Sequence, residues 1–213
     1  GSATELTVYV FANYTHNAQV NIGQSAHVSL TVVGMDLGGG TYPTVTHTSN
    51  HGFGIYGASD LTLQNLTINS TARFMQASNN GTAADPVRIT IGDNVTMNVS
   101  TARADHAMDG GEYFHLAKEY VYVTVSESAS INMDFTSFTE VDGIDYNITP
   151  FYLGVANGRL ELRGHISMNV NEATIKASSS VVSALWIADS STVVDIYGTD
   201  LITVAGGAKY AKS

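Results

Sequence analysis

Short runs in which apolar and polar residues alternate recur along the whole chain. In these runs apolar residues such as Leu61, Leu63, Leu66 and Ile68 alternate with Thr, Asn, Gln or Tyr. This alternation predicts strands that have one buried side and one side facing solvent. Versions of one two-strand phrase can be aligned at 20–32, 61–70, 89–99, 123–135, 160–170 and 194–204.

A second phrase, which carries an aromatic residue, lies between the copies of the first. It occurs at 51–57, 72–78, 112–117, 150–156 and 183–189. Each repeat unit is therefore predicted to contain two short strands, a loop and a third strand. Helical periodicity and helix caps are nearly absent, and the one stretch that suits a helix, 171–188, fits a strand equally well.

The constant order of three strands favours a β-solenoid over a β-sandwich. A sandwich also gives many alternating strands, but nothing in it requires a three-strand phrase to repeat. We predict an all-β protein of about six stacked coils, ~4.8 Å apart. Like side chains should stack inside it because buried rings stabilise a thin core. One such stack is predicted to contain Phe53, Phe74, Phe114, Phe151 and Trp186.

The length of 213 residues is compatible with one elongated domain. We expect a single solenoid domain over 3–206, with Gly1-Ser2 as a cloning remnant and 207–213 as a linker. No apolar run is long enough to cross a bilayer, and the first residues lack the features of a signal peptide. Signals for secretion and anchoring are therefore expected outside this fragment, and membrane insertion is not expected.

Charge and cysteine content exclude several function classes. The formal net charge is −10, with nine Lys and Arg residues together. Nucleic-acid binding is not expected, because it depends on Lys and Arg contacts to phosphate. The chain has no cysteine, which removes disulfides, zinc–thiolate sites and thiol catalysis, and in an extracellular protein fits a bacterial origin.

Ionisable side chains are concentrated in the stretch 101–115. This stretch does not match an EF-hand, and a zinc site of His106, His115 and a carboxylate, although an alternative, fits no strong spacing motif. No metal is predicted. The corresponding junction of the next unit, 136–149, is also acidic, with Glu140, Asp142 and Asp145. In a solenoid the two loops should rise side by side on one face.

Tyrosines next to these loops are candidates for sugar binding, since the C–H face of a sugar lies flat on an aromatic ring. In 119–125 the valines occupy the inward positions, so Tyr120 and Tyr122 are predicted to point outward. The candidate ligand-binding residues are Tyr113, Tyr120, Tyr122, Tyr146, Asp105, His106, Asp109, Glu112 and Asp142. Crowded carboxylates raise one another's pKa, so binding of an acidic glycan is expected to improve as the pH falls.

The phrases DLTLQNLTI (60–68) and IGDNVTMNV (91–99) resemble those of pectate-lyase-like adhesive domains in surface proteins of Gram-positive bacteria. Binding regions of the serine-rich-repeat adhesins of lactobacilli are of this kind. The resemblance covers nearly the whole chain. It implies a right-handed parallel β-helix that binds host or plant polysaccharide or glycoprotein glycans, needs no cofactor and catalyses nothing. We expect it to act as a monomeric module of a longer protein anchored in the cell wall.

Two other functions are alternatives to a non-catalytic adhesive module. β-Helix enzymes that cut acidic polysaccharides need calcium-bound carboxylates with an arginine base, or clustered aspartates. The chain has no Asp-Asp pair, no Gly-His-Gly and no Arg-x-Lys, so an enzyme is not predicted. A polysaccharide lyase or glycoside hydrolase that uses Arg103, Asp105 and Asp109 is the first alternative. A structural stalk is the second, although a spacer has no need of elaborated loops.

Overall fold

In the residues that it describes, the computed structural model of the chain is an all-β structure of three parallel sheets with seven strands each. It describes residues 4–23, 26–48, 51–71, 73–100, 112–136, 147–170, 181–205 and 209–212. One strand of each sheet, taken in turn, makes one coil, so the chain forms a right-handed parallel β-helix of seven coils.

Sheet A contains the first strand of every coil: β1 (Thr4–Val10), β4 (Val28–Gly34), β7 (Asp60–Gln64), β10 (Val87–Ile91), β13 (Val121–Val125), β16 (Arg159–Leu162) and β19 (Val193–Ile196). Sheet B contains the second: β2 (Tyr14–His16), β5 (Thr44–His47), β8 (Leu66–Ser70), β11 (Val95–Ser100), β14 (Ser130–Phe135), β17 (His165–Val170) and β20 (Ile202–Ala205). Sheet C contains the third: β3 (Val20–Ile22), β6 (His51–Ile55), β9 (Arg73–Ala77), β12 (Glu112–Leu116), β15 (Asn147–Leu153), β18 (Val181–Ile187) and β21 (Lys209–Lys212).

The predicted β-solenoid is confirmed, but its first repeat was assigned in the wrong frame. The phrase at 20–32 joins β3 of the first coil to β4 of the second instead of lying within one coil. Two strands of the first coil, β1 and β2, therefore precede the point where the repeat was expected to begin. At the other end, β21 lies within 207–213, where a linker was expected, and it pairs with β18.

Inward-facing residues form columns that run along the axis of the solenoid. Leu61, Ile89, Val123 and Leu160 follow one another in register on sheet A, and all are fully buried. Each side chain packs on its equivalents one coil before and one coil after. Burial of this apolar surface, at roughly 25 cal/mol per Å², is the main term that stabilises the stack.

The core is closed in the middle of the solenoid and open at its ends. Leu6 on β1 is 50% exposed, whereas Leu61 on β7 is fully buried. Ile196 on β19, which continues the inward column of Leu162, is 48% exposed at the other end. Within the described residues, the terminal coils thus carry the same apolar pattern as the central ones and have a neighbouring coil on one side only.

The inward aromatic column of sheet C differs from the predicted stack in two positions. Phe53, Phe114 and Phe151 share this column with Met75 and Leu185, and the rings of Phe114 and Phe151 stack with centroids 4.8 Å apart. Phe74 is buried one position before the column, and it packs edge-on against Phe114 with centroids 5.9 Å apart.

Trp186 was wrongly placed in this inner stack. Its neighbour Leu185 pairs with Phe151 and occupies the inward position. Alternation along β18 then directs Trp186 to the outer face, where it is half-buried.

The two acidic loops connect the same pair of sheets in consecutive coils. Strands β11 and β14 are hydrogen-bonded neighbours in sheet B, and β12 and β15 are neighbours in sheet C. The predicted placement of both loops at one junction is therefore confirmed by the topology. Most of the loop residues, 101–111 and 137–146, lie outside the described residues.

Candidate functional site

A row of partly exposed rings runs along the outer face of sheet C. His115 on β12 pairs with Tyr152 on β15, which pairs with Trp186 on β18. The ring centroids of His115 and Tyr152 are 5.1 Å apart, and those of Tyr152 and Trp186 are 4.5 Å apart. We call these three residues the aromatic ladder.

Alternation along each strand produces the ladder. His115 lies between the buried Phe114 and Leu116, and Tyr152 lies likewise between Phe151 and Leu153. Since successive side chains of a strand point to opposite faces, the ring between two buried residues must face outward. The preceding coil continues the column with Gln76, so the row of rings ends at His115 on that side.

A buried ion pair lies beside the ladder. The guanidinium Nη2 of Arg73 on β9 is 3.2 Å from Glu112 Oε2 on β12, and the two residues are 5% and 6% exposed. The same carboxylate oxygen contacts Nδ1 of His115. We call this group the Arg73–Glu112–His115 cluster. Burial of two charged groups carries a large desolvation cost. Arg and Glu are therefore rarely buried unless they are paired, as these two residues are.

The cluster also acts on the middle ring of the ladder. Burial raises the pKa of the Tyr152 phenol above its ordinary value, and the negative charge of Glu112 raises it further. The hydroxyl of Tyr152 therefore keeps its proton at neutral pH and is available as a hydrogen-bond donor and acceptor. The outer face of sheet C thus combines ring surfaces with a hydroxyl group and an imidazole.

The prediction that Tyr113 flanks the binding face is wrong. Tyr113 is 1% exposed and packs against Phe74 and Phe114, with ring centroids 5.5 and 5.2 Å away. Burial raises the pKa of its phenol strongly. Since the ring is enclosed by other aromatic side chains, Tyr113 belongs to the core and presents no face to a ligand.

Glu112 also differs from its predicted role as a loop carboxylate repelled by its neighbours. It lies in strand β12, and Arg73 from the preceding coil supplies the opposite charge. The sequence alone did not indicate this pair, because Arg73 is 39 residues away along the chain. The two residues meet because Met75 and Phe114 pair in register, which sets the start of β9 beside the start of β12.

Tyr120 and Tyr122 lie on another side of the solenoid. Tyr122 faces outward on sheet A as predicted, in register between Arg88 and Arg159. With Tyr120 it borders a shallow depression of about 390 Å³ that Asn157 and Ser191 also line. The five residues of β12 separate this corner from the acidic loop by about 16 Å. Tyr120 and Tyr122 therefore lie beyond the opposite end of β12 from the point where the acidic loop joins it.

The remaining predicted site residues lie outside the described residues. They are Asp105, His106, Asp109, Asp142 and Tyr146. The zinc alternative, which depends on His106, and the enzyme alternative, which depends on Arg103, Asp105 and Asp109, stay predictions for the same reason. Among the residues that the structure does describe, no group of three or more side chains has the composition of a metal site.

The sequence contained a signal for the ladder that went unused. The triplets Phe114-His115-Leu116, Phe151-Tyr152-Leu153 and Leu185-Trp186-Ile187 align without gaps. Their central residues are the ladder, and their outer residues are the core. Aligning the aromatic phrases by their rings alone, instead of by their apolar–polar–apolar order, placed Trp186 inside.

Comparison of the chain with protein-family models, with curated proteins and with solved structures finds no match. Within the described parts of the chain, no helix has the length and apolar character that crossing a membrane requires.

Proposed function

We propose that this chain is a non-catalytic module of a bacterial surface adhesin, which binds polysaccharide along one flank of the solenoid. The observation that carries the proposal is the aromatic ladder on the outer face of sheet C. A sugar ring buries its C–H face on Tyr or Trp, while its hydroxyl groups hydrogen-bond at the rim. Tyr152 and Trp186 offer two adjoining rings for this purpose.

The scaffold supports binding because it holds the rings before the ligand arrives. Strand β15 is hydrogen-bonded on both sides, to β12 and to β18. The backbone of such a strand is already ordered, and the ring of Tyr152 is held between the rings of His115 and Trp186. Little conformational freedom is then lost when a ligand docks, which lowers the entropic cost of association. A rigid row of half-buried rings therefore suits a ligand that is itself extended and weakly apolar.

The proposed ligands are host or plant polysaccharides and the glycans of glycoproteins, including pectin-like acidic glycans. With a net charge of −10, the protein repels an acidic polymer at neutral pH, and the repulsion weakens as carboxylates bind protons. The proposed location is the bacterial cell surface, as a monomeric module held in the cell wall by parts outside this chain. A role in nucleic-acid binding or membrane insertion is not part of the proposal.

Loss of the ladder rings tests the proposal. A glycan array is probed with the parent protein, Trp186→Ala and Tyr152→Ala, at about pH 5 and pH 7.5. We expect the parent to bind a polysaccharide and each variant to lose at least about tenfold in affinity, which corresponds to about 1.4 kcal/mol. Tyr197→Ala is the matched control, because Tyr197 is an exposed aromatic residue that follows β19 of sheet A.

Binding that survives both ladder substitutions would place the ligand elsewhere and contradict the proposal. Far-UV circular dichroism of each variant separates a loss of binding from a loss of fold. A parent protein that binds no glycan at either pH would leave the structural stalk as the better reading.

A polysaccharide lyase is the second candidate, and one observation favours it. A carboxylate that contacts Nδ1 of a histidine is an arrangement that orients a general base, and the hydroxyl of Tyr152 is a nearby proton carrier. Incubation with polygalacturonate, followed by ultraviolet absorbance of unsaturated products, distinguishes the two candidates. We expect no product. Product formation that His115→Ala abolishes would establish the enzyme.

A further inference from the structure

We propose that His115 selects between neutral and acidic sugars on the aromatic ladder, through a change in the hydrogen-bonding role of its Nε2 atom with pH. This inference rests on the proposed function, since it assigns a specificity to the same site. It starts from the contact between Nδ1 of His115 and the carboxylate of Glu112.

The contact determines which nitrogen carries the proton in the neutral imidazole. Arg73 lies 3.2 Å from the same carboxylate oxygen, so that Glu112 forms an ion pair with the guanidinium. An ionised carboxylate only accepts hydrogen bonds, so Nδ1 must be the donor. In the neutral ring Nε2 is then an acceptor with a free lone pair.

Nε2 is the ring nitrogen left for a ligand. Among the described residues, His115 forms its side-chain hydrogen bond through Nδ1 alone. The side chain is 28% exposed, and its ring lies beside Tyr152. A sugar stacked on Tyr152 and Trp186 would therefore extend to the position of Nε2.

The groups around His115 can be named strand by strand. Its own strand supplies Glu112, and β9 supplies Arg73 together with the uncharged Gln76. Strand β15 supplies the protonated phenol of Tyr152. Since the charges of Arg73 and Glu112 oppose each other, the net charge of this group is that of the imidazole.

The two protonation states of His115 favour different ligands. A neutral imidazole offers Nε2 as an acceptor, which suits a sugar hydroxyl and opposes a carboxylate. A protonated imidazole offers an N–H donor with a positive charge, which suits the carboxylate of a uronic acid. One ladder should therefore accept neutral sugars at neutral pH and gain affinity for acidic sugars as the pH falls.

A matched pair of probes tests the inference. Trigalacturonate and its methyl ester have the same backbone and differ in charge, and the free acid is ionised at both pH values. Binding of each is measured by titration calorimetry at about pH 5 and pH 7.5. We expect the affinity ratio of acid to ester to rise at least about tenfold on going to the lower pH, which corresponds to about 1.4 kcal/mol.

Two variants assign the change to His115. His115→Gln keeps a polar side chain but cannot titrate, so its affinity ratio should change with pH much less than that of the parent, by the part that the other carboxylates of the protein contribute. His165→Gln is the control, because His165 is an exposed histidine on sheet B, and it should behave as the parent does. If both probes bind but the parent ratio does not change with pH, or His115→Gln shows the same change as the parent, the inference is overturned and the proposed function stands. If neither probe binds, the pectin-like ligand class and this inference both fail.

The protonation pattern has its own test, which needs no ligand. Long-range ¹H–¹⁵N correlation spectra of the whole chain distinguish the two neutral forms of an imidazole. We expect His115 to carry its proton on Nδ1 at neutral pH. A proton on Nε2 would contradict the inference, whatever the binding experiments give.

Discussion

The outer faces of sheets B and C show two uses of the same stacking. On sheet B, Asn69, Asn98 and Asn132 lie in register on consecutive coils. The side-chain amide of Asn98 donates a hydrogen bond from Nδ2 to Oδ1 of Asn69, and Asn132 donates one in the same way to Asn98. Both Nδ2–Oδ1 distances are 3.0 Å. On sheet C the equivalent positions hold the rings of the aromatic ladder. The amides of sheet B satisfy one another, whereas the rings of sheet C leave polar atoms and ring faces for solvent or ligand.

The difference indicates which face stabilises the solenoid and which one is available for binding. Hydrogen bonds along a column link coil to coil and contribute to folding. A buried ion pair contributes little net stability, because desolvation offsets the attraction between the charges. The Arg73–Glu112–His115 cluster is therefore poorly explained by stability alone. Its position beside the ladder suggests that it holds the site in shape.

The largest expected effect comes from breaking the cluster on sheet C. Glu112→Ala removes the buried carboxylate that lies 3.2 Å from the Arg73 guanidinium, which should lower the free energy of unfolding by about 3–5 kcal/mol. Urea denaturation followed by circular dichroism measures the change. Glu161→Ala is the control, because its pair with Arg159 is partly exposed, at 26% and 43%, and should contribute less than about 1 kcal/mol. Similar small losses in both variants would show that the cluster is not effectively desolvated.

The next effect comes from breaking the amide column on sheet B. Asn98→Ala removes the hydrogen bonds to Asn69 and Asn132 together, and should cost about 1–3 kcal/mol of unfolding free energy. Glycan binding by the folded protein should stay the same. Thr62→Ala, at an outward position of sheet A, is the control for loss of a polar strand residue. A loss of glycan affinity in folded Asn98→Ala would overturn the division between the two faces.

The sequence was sufficient to predict the fold because alternation determines which side chains face inward. Repetition of the phrase then places each strand on its equivalent in the previous coil. The first coil was missed because β2 and β3 have three residues each, too few to show a period of two. Strand β1 has the same alternation as the central strands, although Leu6 and Val8 are exposed. The sequence pattern therefore does not distinguish a terminal coil from a buried one.

The site was harder to predict than the fold because it depends on register between distant strands. Glu112, Tyr113 and Phe114 are buried in succession, which interrupts the alternation at the start of β12, and Glu112 was therefore assigned to the acidic loop. The pairing of Arg73 with Glu112 follows only when Met75 is set opposite Phe114. Aligning Phe74 with Phe114, as the rings suggest, shifts the register by one residue and hides the ion pair.

A smaller effect distinguishes the ring of Tyr152 from its hydroxyl. Tyr152→Phe keeps the stacking surface between His115 and Trp186 and removes one hydrogen-bonding group. We expect glycan affinity to fall by about 0.5–1.5 kcal/mol, the range for one hydrogen bond, and less than in Tyr152→Ala. Equal losses in the two variants would mean that the hydroxyl, and not the ring face, carries the contact. The outer column of sheet C would then bind through polar groups, as the Asn column of sheet B does, and the contrast between the two faces would be lost.

The smallest expected effect concerns the corner of sheet A, where Tyr120 adopts a left-handed backbone conformation with φ of 54°. Tyr122 pairs with Arg159, so Asn157, two residues before Arg159, is the equivalent of Tyr120 in the next coil. Asn157 has φ of 62°, and asparagine tolerates this region better than tyrosine does. Tyr120→Asn should therefore raise the free energy of unfolding by up to about 1 kcal/mol. Its glycan affinity should match that of the parent, because Tyr120 is remote from the ladder. A loss of affinity in a folded, stabilised variant would show that this corner contacts the ligand, as the sequence first suggested.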